Sequence, residues 1–240
     1  MNYIYRKLTI CQPEIRSGML ILLCCFISLS SAAQPDRPYT EVWHLKSLKK
    51  IGGHKVEVFG NPEVVKTERG KAIKFDGIDD RLLVDYNPIS DAKEFTAEVI
   101  FKAFPAYEIS NQPRFIHFQD PKDTLEKRVM IELRLTPANE WYLDGYMLTD
   151  AGERTLQNKK LTHPIGEWYH AALTYKDNLF KTYVNGVEEV SGSVSFNKVL
   201  MNKTGKVSIG GRMDQRNYYC GLIKVLKITH KALEPEDFMR

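Results

Sequence analysis

Apolar positions along this chain recur every second residue, not every third or fourth. In Phe95-Thr96-Ala97-Glu98-Val99-Ile100-Phe101-Lys102 the first, third, fifth and seventh positions are apolar. Met130 to Leu135 alternates again, with Ile131, Leu133 and Leu135 on one side and Glu132 and Arg134 on the other. Successive side chains of a strand point to opposite faces, so the pattern predicts half-buried β-strands. Further strand-like runs are Ala72–Phe75, Arg81–Val84, Arg114–Phe118, Trp141–Leu148, Trp168–Tyr175, Phe180–Val184, Lys206–Ile209 and Leu222–Thr229. Turn-forming clusters separate them, and Asn185-Gly186 is the strongest hairpin signal because both residues accept positive φ. A short turn at Glu234–Met239, with Pro235 suited to its first position, is the one helix-like segment. The strand count and spacing predict an all-β, two-sheet antiparallel sandwich. No Pro/Gly/Ser linker divides residues 34–240, which read as one domain.

The first 33 residues have a different character. Arg6, Lys7 and Arg16 precede an apolar run from Met19 to Leu29, and Ser31 and Ala33 are the small residues a signal peptidase needs. The run is too short for a membrane span, which takes about 20 residues. Residues 1–33 are expected to be a signal peptide, leaving an exported domain of residues 34–240 that is secreted, periplasmic or at the cell surface. Its removal takes three of the four cysteines, so Cys220 has no disulfide partner. The whole chain carries 34 basic and 30 acidic residues with no long run of one sign, which argues against nucleic acid as a partner. With Gly 15 and Pro 11, a collagen-like or disordered chain is excluded.

Several segments resemble concanavalin A-like, laminin-G-like jelly rolls. These are Lys71-Ala72-Ile73-Lys74-Phe75-Asp76-Gly77, the Phe95–Lys102 strand, Gly166-Glu167-Trp168-Tyr169-His170-Ala171-Ala172-Leu173, and Lys181-Thr182-Tyr183-Val184-Asn185-Gly186. Ser208-Ile209-Gly210-Gly211, Tyr219-Cys220-Gly221-Leu222-Ile223 and the tail Ala232-Leu233-Glu234-Pro235-Glu236 complete the series in order. The resemblance implies a jelly-roll sandwich with Phe75 and Trp168 between its sheets and His170 in a structural role. It also implies carbohydrate handling on a concave sheet face and its rim loops. Lys224 replaces an Asp that often helps hold calcium in related domains, and Ile100 stands where Trp is usual.

Residues alternating away from the core are therefore the ones to inspect: Glu98, His117, Glu132, Arg134, Tyr142, Asp144 and Tyr146. Sugar recognition needs rings that stack on apolar sugar faces and planar groups that reach paired hydroxyls. The loop Arg212-Met213-Asp214-Gln215-Arg216-Asn217-Tyr218 is rich in such groups. Expected ligand contacts are Arg212, Asp214, Arg216 and Tyr218 on the rim, with His117, Arg134, Tyr142 and Tyr146 on the sheet. Glycoside hydrolysis would need two carboxyls about 5–9 Å apart; Glu98 with Glu132 is one candidate pair. Arg134 beside Glu132 should lower its pKa and oppose a general-acid role. A lyase would need a base such as His117 or Tyr142 near Arg134. Asp76, Asp79, Asp80 and Asp85 surround Gly77 without an Asp-x-Asp-x-Asp-Gly loop, so turn chemistry is expected, no cofactor, and calcium is the ion to test. Cys220, in a strand-like run, reads as an inert thiol. The expected function is non-catalytic, lectin-like carbohydrate binding. The alternatives are a glycan-cleaving enzyme, hydrolase or lyase, of the same superfamily and a protein-binding adhesion module.

Overall fold

The computed structural model describes residues 38–239; the expected signal peptide, residues 1–33, lies outside the described residues. Strands β1 to β17, numbered in chain order, and one short 3-10 turn form two antiparallel sheets. The first sheet runs β15 (Val187–Ser193), β14 (Leu179–Val184), β13 (Trp168–Lys176), β7 (Phe95–Ala103), β17 (Cys220–Thr229), β5 (Gly70–Asp76) and β4 (Glu63–Thr67). Strand β1 (Thr40–His44) pairs with the later half of β17. The second sheet runs β11 (Glu153–Gln157), β10 (Glu140–Leu148), β9 (Arg128–Leu135), β8 (Arg114–Gln119), β16 (Lys206–Ile209), β6 (Arg81–Val84), β3 (His54–Phe59) and β2 (Lys50–Ile51). Strand β12 (His163–Pro164) pairs with β10. Among the described residues, no helix is long and apolar enough to cross a membrane.

Alternation decides which face meets the core. Phe95, Ala97, Val99 and Phe101 of β7 are buried inward, as are Val129, Ile131, Leu133 and Leu135 of β9. Phe101 bridges the sheets, with its ring centroid 4.8 Å from Phe115 and 5.2 Å from Trp141. The sheets approach so closely at Gly145 that a Cβ there would lie 2.7 Å from Thr182 Cγ2. Asn185 and Gly186 make the expected hairpin turn, both at positive φ (49° and 82°).

Trp168 departs from expectation. The inward residues of β13 are Ala171, Leu173 and Tyr175, so Trp168 and His170 project from the outer face. Trp43 and Trp141, both fully buried, fill the core instead. The chain after β17 crosses the outer face of the first sheet. Thr96 Oγ1 donates to the Lys231 carbonyl (2.7 Å) and accepts from the Leu233 amide (2.8 Å). Phe238, beyond the 3-10 turn Pro235–Asp237, packs against Ala172 and Tyr183.

Candidate functional site

The outer face of the second sheet is polar. Adjacent β9 and β10 place Arg134 opposite Tyr142, Glu132 opposite Asp144 and Met130 opposite Tyr146. Their neighbours Ile131, Leu133, Leu143 and Met147 point inward, so the polar set faces away from the core. Glu98 is not part of it. It lies on β7 of the first sheet, so the candidate pair of Glu98 with Glu132 does not form.

Arg134 is held by two acids. Its Nη2 is 2.5 Å from Asp144 Oδ2 and 3.3 Å from Glu132 Oε2, while Nε donates to Asp144 Oδ2 at 2.6 Å. Arg114 Nε lies 3.1 Å from the other Glu132 oxygen. Glu132 and Asp144 are 1% and 0% exposed. Burial pushes the Glu132 pKa up to about 7, with the Asp144 charge adding to the rise and Arg114 and Arg134 opposing it. Burial also raises Asp144, against the pull of Arg134. Arg134 does pull the Glu132 pKa down, as expected, but desolvation outweighs both guanidinium charges and the net shift is upward.

The rim loop folds back over one end of this face. Met213 donates its amide to His117 Nδ1 at 3.0 Å, and Arg114 donates its own amide to the Asn217 carbonyl at 2.9 Å. His117 is fully buried, and burial with the surrounding Arg212, Arg128, Arg114 and Arg81 charges holds its pKa well below the usual range. A neutral imidazole accepting at Nδ1 fastens the loop and presents no atom to solvent. Tyr219, at the loop's end, is a buried core aromatic whose ring stacks on Phe115 at 5.3 Å. Asp214 lies between two guanidinium groups, 3.4 Å from Arg212 Nε and 2.9 Å from Arg216 Nε. Arg216 and Asp214 are exposed, while Arg212 and Tyr218 are half-buried.

Next to this loop the face stays open. A cleft of about 460 Å³ is bounded by Arg134, Tyr142, Tyr107, Gln112, Gln157 and Lys159. A second depression, about 660 Å³, holds Arg216 and Tyr218 and shares Tyr107, Asn111 and Gln112 with the first. Residues 107–112 thus join the sheet candidates to the rim candidates. They are fixed against β9, where Leu135 donates to the Asn111 carbonyl and Leu133 to the Pro113 carbonyl, each at 3.0 Å. Sequence reasoning missed them because no periodicity or motif marks this loop. Tyr146 sits outside the cleft. Its hydroxyl donates to Glu153 Oε2 (2.5 Å), the Arg128 guanidinium lies over its ring, and burial with the Glu153 bond pushes its pKa up to about 12.

The acidic turn is self-satisfied. Asp76 Oδ1 accepts the amides of Ile78, Asp79 and Asp80, and the two Asp80 oxygens accept those of Asn61 and Asp76. Asp85 is separate and pairs with Lys206 Nζ at 2.9 Å. One ligand atom from each of Asp76, Asp79 and Asp80 lies within 4.8 Å of the others. Asp76 Oδ1 and both Asp80 oxygens already serve backbone amides, so three side chains alone fall short of the six to eight oxygens calcium takes. Lys224 lies just beyond the part of β17 that pairs with β5, at the register shift between Ile223 and Val225. Cys220 is half-buried, and burial followed by the Asp76 charge raises its thiol pKa, which disfavours the thiolate.

A two-sheet antiparallel sandwich of this order, with a polar cleft on one outer face, defines a jelly-roll domain. The chain belongs to the concanavalin A-like lectin/glucanases superfamily, whose laminin-G-type family model matches residues 76–238. The sequence matches no curated protein. Among solved structures it is similar to domain 4 of AbnA, a GH43 extracellular arabinanase from Geobacillus stearothermophilus, in complex with arabinotriose. That match has a TM-score of 0.57 at 17% identity and covers 84% of this chain and 97% of that one. The botulinum neurotoxin serotype D ligand-binding domain in complex with N-acetylneuraminic acid aligns with TM-score 0.59 at 16% identity, over 82% of this chain and 48% of that one. The receptor-binding domain of the botulinum neurotoxin C/D mosaic serotype gives TM-score 0.59 at 15% identity, over 82% and 49%. The chain spans about half the length of these two neurotoxin domains. At such identities the likeness is one of fold.

Proposed function

We propose that the protein is an exported carbohydrate-binding module that holds a glycan in the Arg134–Tyr142 cleft without cleaving it. The observation that carries this reading is the fixed geometry at the cleft mouth. Arg134 is pinned by two buried carboxylates, and Tyr142 stands opposite it in register. A planar donor and an aromatic ring held side by side suit adjacent hydroxyls and the apolar face of one sugar ring. Gln112, Gln157 and Lys159 supply further polar groups, and Arg216 and Tyr218 extend the surface across Tyr107. The arabinotriose and N-acetylneuraminic acid complexes of the structural relatives support a carbohydrate ligand. Export rests on the order of basic, apolar and small residues in positions 1–33.

The pairing of Glu132 with Asp144 favours a second reading, a glycoside hydrolase, because two acids on neighbouring strands with raised pKa values resemble a cleavage pair. Access weighs against it. A general acid must touch the glycosidic oxygen, and both carboxyls are sealed from solvent with Arg134 bonded to each. The test is a broad glycan array probed with the purified protein, with and without chelator, followed by mass analysis of the recovered glycans. Intact bound glycan, insensitive to chelator, is expected. Shortened glycan would overturn the non-catalytic reading, and chelator-sensitive binding would overturn the metal-free one. Silence across the array would point to a protein partner.

A further inference from the structure

Trp168 is unlike the other two tryptophans of the chain. Trp43 and Trp141 are fully buried, whereas Trp168 is half-buried on the outer face of the first sheet and joins neither hydrophobic cluster. A half-buried aromatic at the wall of a cleft offers a ring face to a ligand. Trp168 borders a cleft of about 560 Å³ between β13 and the C-terminal tail. Its indole Nε1 donates to Glu68 Oε1 at 2.5 Å, and that carboxylate lies 3.9 Å from Lys102 Nζ, so the ring is held in place. Ile100 and Phe238, both nearly buried, give the cleft an apolar lining.

Its polar groups are balanced and partly free. Asn185 Oδ1 accepts the His170 amide at 3.0 Å, which leaves the Asn185 amide NH2 as a donor at the wall. Arg69 and Glu236, both exposed, bring one charge of each sign. One charge of each sign gives these side chains no net attraction for a charged ligand, and an uncharged polyhydroxyl ring meets donors and an acceptor together. We propose that this cleft is a second carbohydrate site, in which a neutral sugar ring stacks on Trp168 between Arg69 and Asn185. It lies on the sheet opposite the Arg134–Tyr142 cleft and shares no residue with it. One chain can then hold two glycan strands, one on each face, and link them.

Trp168 is also the only tryptophan of the chain that solvent can reach, so its fluorescence reports on this cleft alone. The test measures acrylamide quenching of the purified protein against neutral trisaccharides: arabinotriose, xylotriose, cellotriose and mannotriose. At least one should protect Trp168 saturably. Protection should persist in Tyr142→Ala, which separates this site from the first, and should need about threefold more sugar in Arg69→Ala. In Trp168→Ala, titration calorimetry should show affinity at one site reduced about tenfold. Should that variant fail to fold, the exposed Arg69 change carries the test. Absence of protection by all four sugars overturns the proposal, as does protection lost in Tyr142→Ala or unchanged in Arg69→Ala.

Discussion

Each sheet carries a buried acid on its outer face, and the two are held in opposite ways. Glu98, on the first sheet, meets three donors: His170 Nε2 at 3.1 Å, Lys227 Nζ at 2.9 Å and the Met239 backbone amide. Burial is the largest influence and would raise its pKa, but the three donors together outweigh it and hold it below the usual range. Glu132, on the second sheet, has two guanidinium partners, yet burial, aided by the facing Asp144, pushes its pKa up. Three donors serve one carboxyl in the first site, and two guanidinium groups are divided between two carboxyls in the second. Burial is the largest influence on both carboxyls: three donors outweigh it at Glu98, and two guanidinium groups shared with Asp144 do not at Glu132. The roles differ accordingly. Glu98 ties down the C-terminal tail, and the Glu132–Asp144 pair fixes Arg134 at the mouth of a cleft.

Breaking the first site should cost most. Glu98→Ala leaves Lys227 without its acid and frees the Met239 amide, and the expected loss is about 3–5 kcal/mol. Urea denaturation measures it, and a loss below about 1 kcal/mol would contradict the anchoring role. Hydrogen exchange should quicken first in residues 232–239. The pH response of the two sites should also have opposite signs. Glu98 has a depressed folded pKa, so its contribution is present above the unfolded value and is lost as acid titrates the folded form.

Glu132 behaves in reverse. Its folded pKa of about 7 lies above the reference of 4.5, so the folded state holds the proton more tightly and stability falls as pH rises between those values. The fall attributable to this residue is on the order of 2 kcal/mol. Denaturation midpoints at pH 5 and pH 8 should differ less in Glu132→Gln than in the natural protein, and an equal difference would refute the assignment. The smallest effect should come from Tyr146→Phe. Its hydroxyl bonds an exposed carboxylate outside the cleft, so stability should change by less than about 1 kcal/mol and glycan affinity not at all. A clear drop in affinity would place Tyr146 in the site after all.

The strands with strict alternation were legible in the residues, as was the Asn185-Gly186 hairpin, because burial of one face imposes a period of two. Edge strands were not. Val187–Ser193 reads Val-Glu-Glu-Val-Ser-Gly-Ser and buries none of its side chains fully, so it carries no alternating signal. Alternation also placed Arg134, Tyr142, Glu132 and Asp144 on common faces of their strands, but it is silent on which sheet a strand joins. Pairing Glu98 with Glu132 fails for that reason. The inward placement of Trp168 rests on the family resemblance, whereas the alternation of its own strand, with Ala171, Leu173 and Tyr175 inward, puts it outside. Tyr107, Asn111 and Gln112 reach the cleft through backbone pairing with β9 more than twenty residues on, which no local pattern announces.

The proposed function places an intact glycan against Tyr142 and Arg134 on the second sheet. Isothermal titration of the array-selected glycan into the natural protein and into Tyr142→Ala tests it most directly. The expected result is affinity about tenfold weaker in the variant, with an unchanged unfolding midpoint and no heat from turnover. Equal affinity in both proteins would contradict the account and move the ligand off this face.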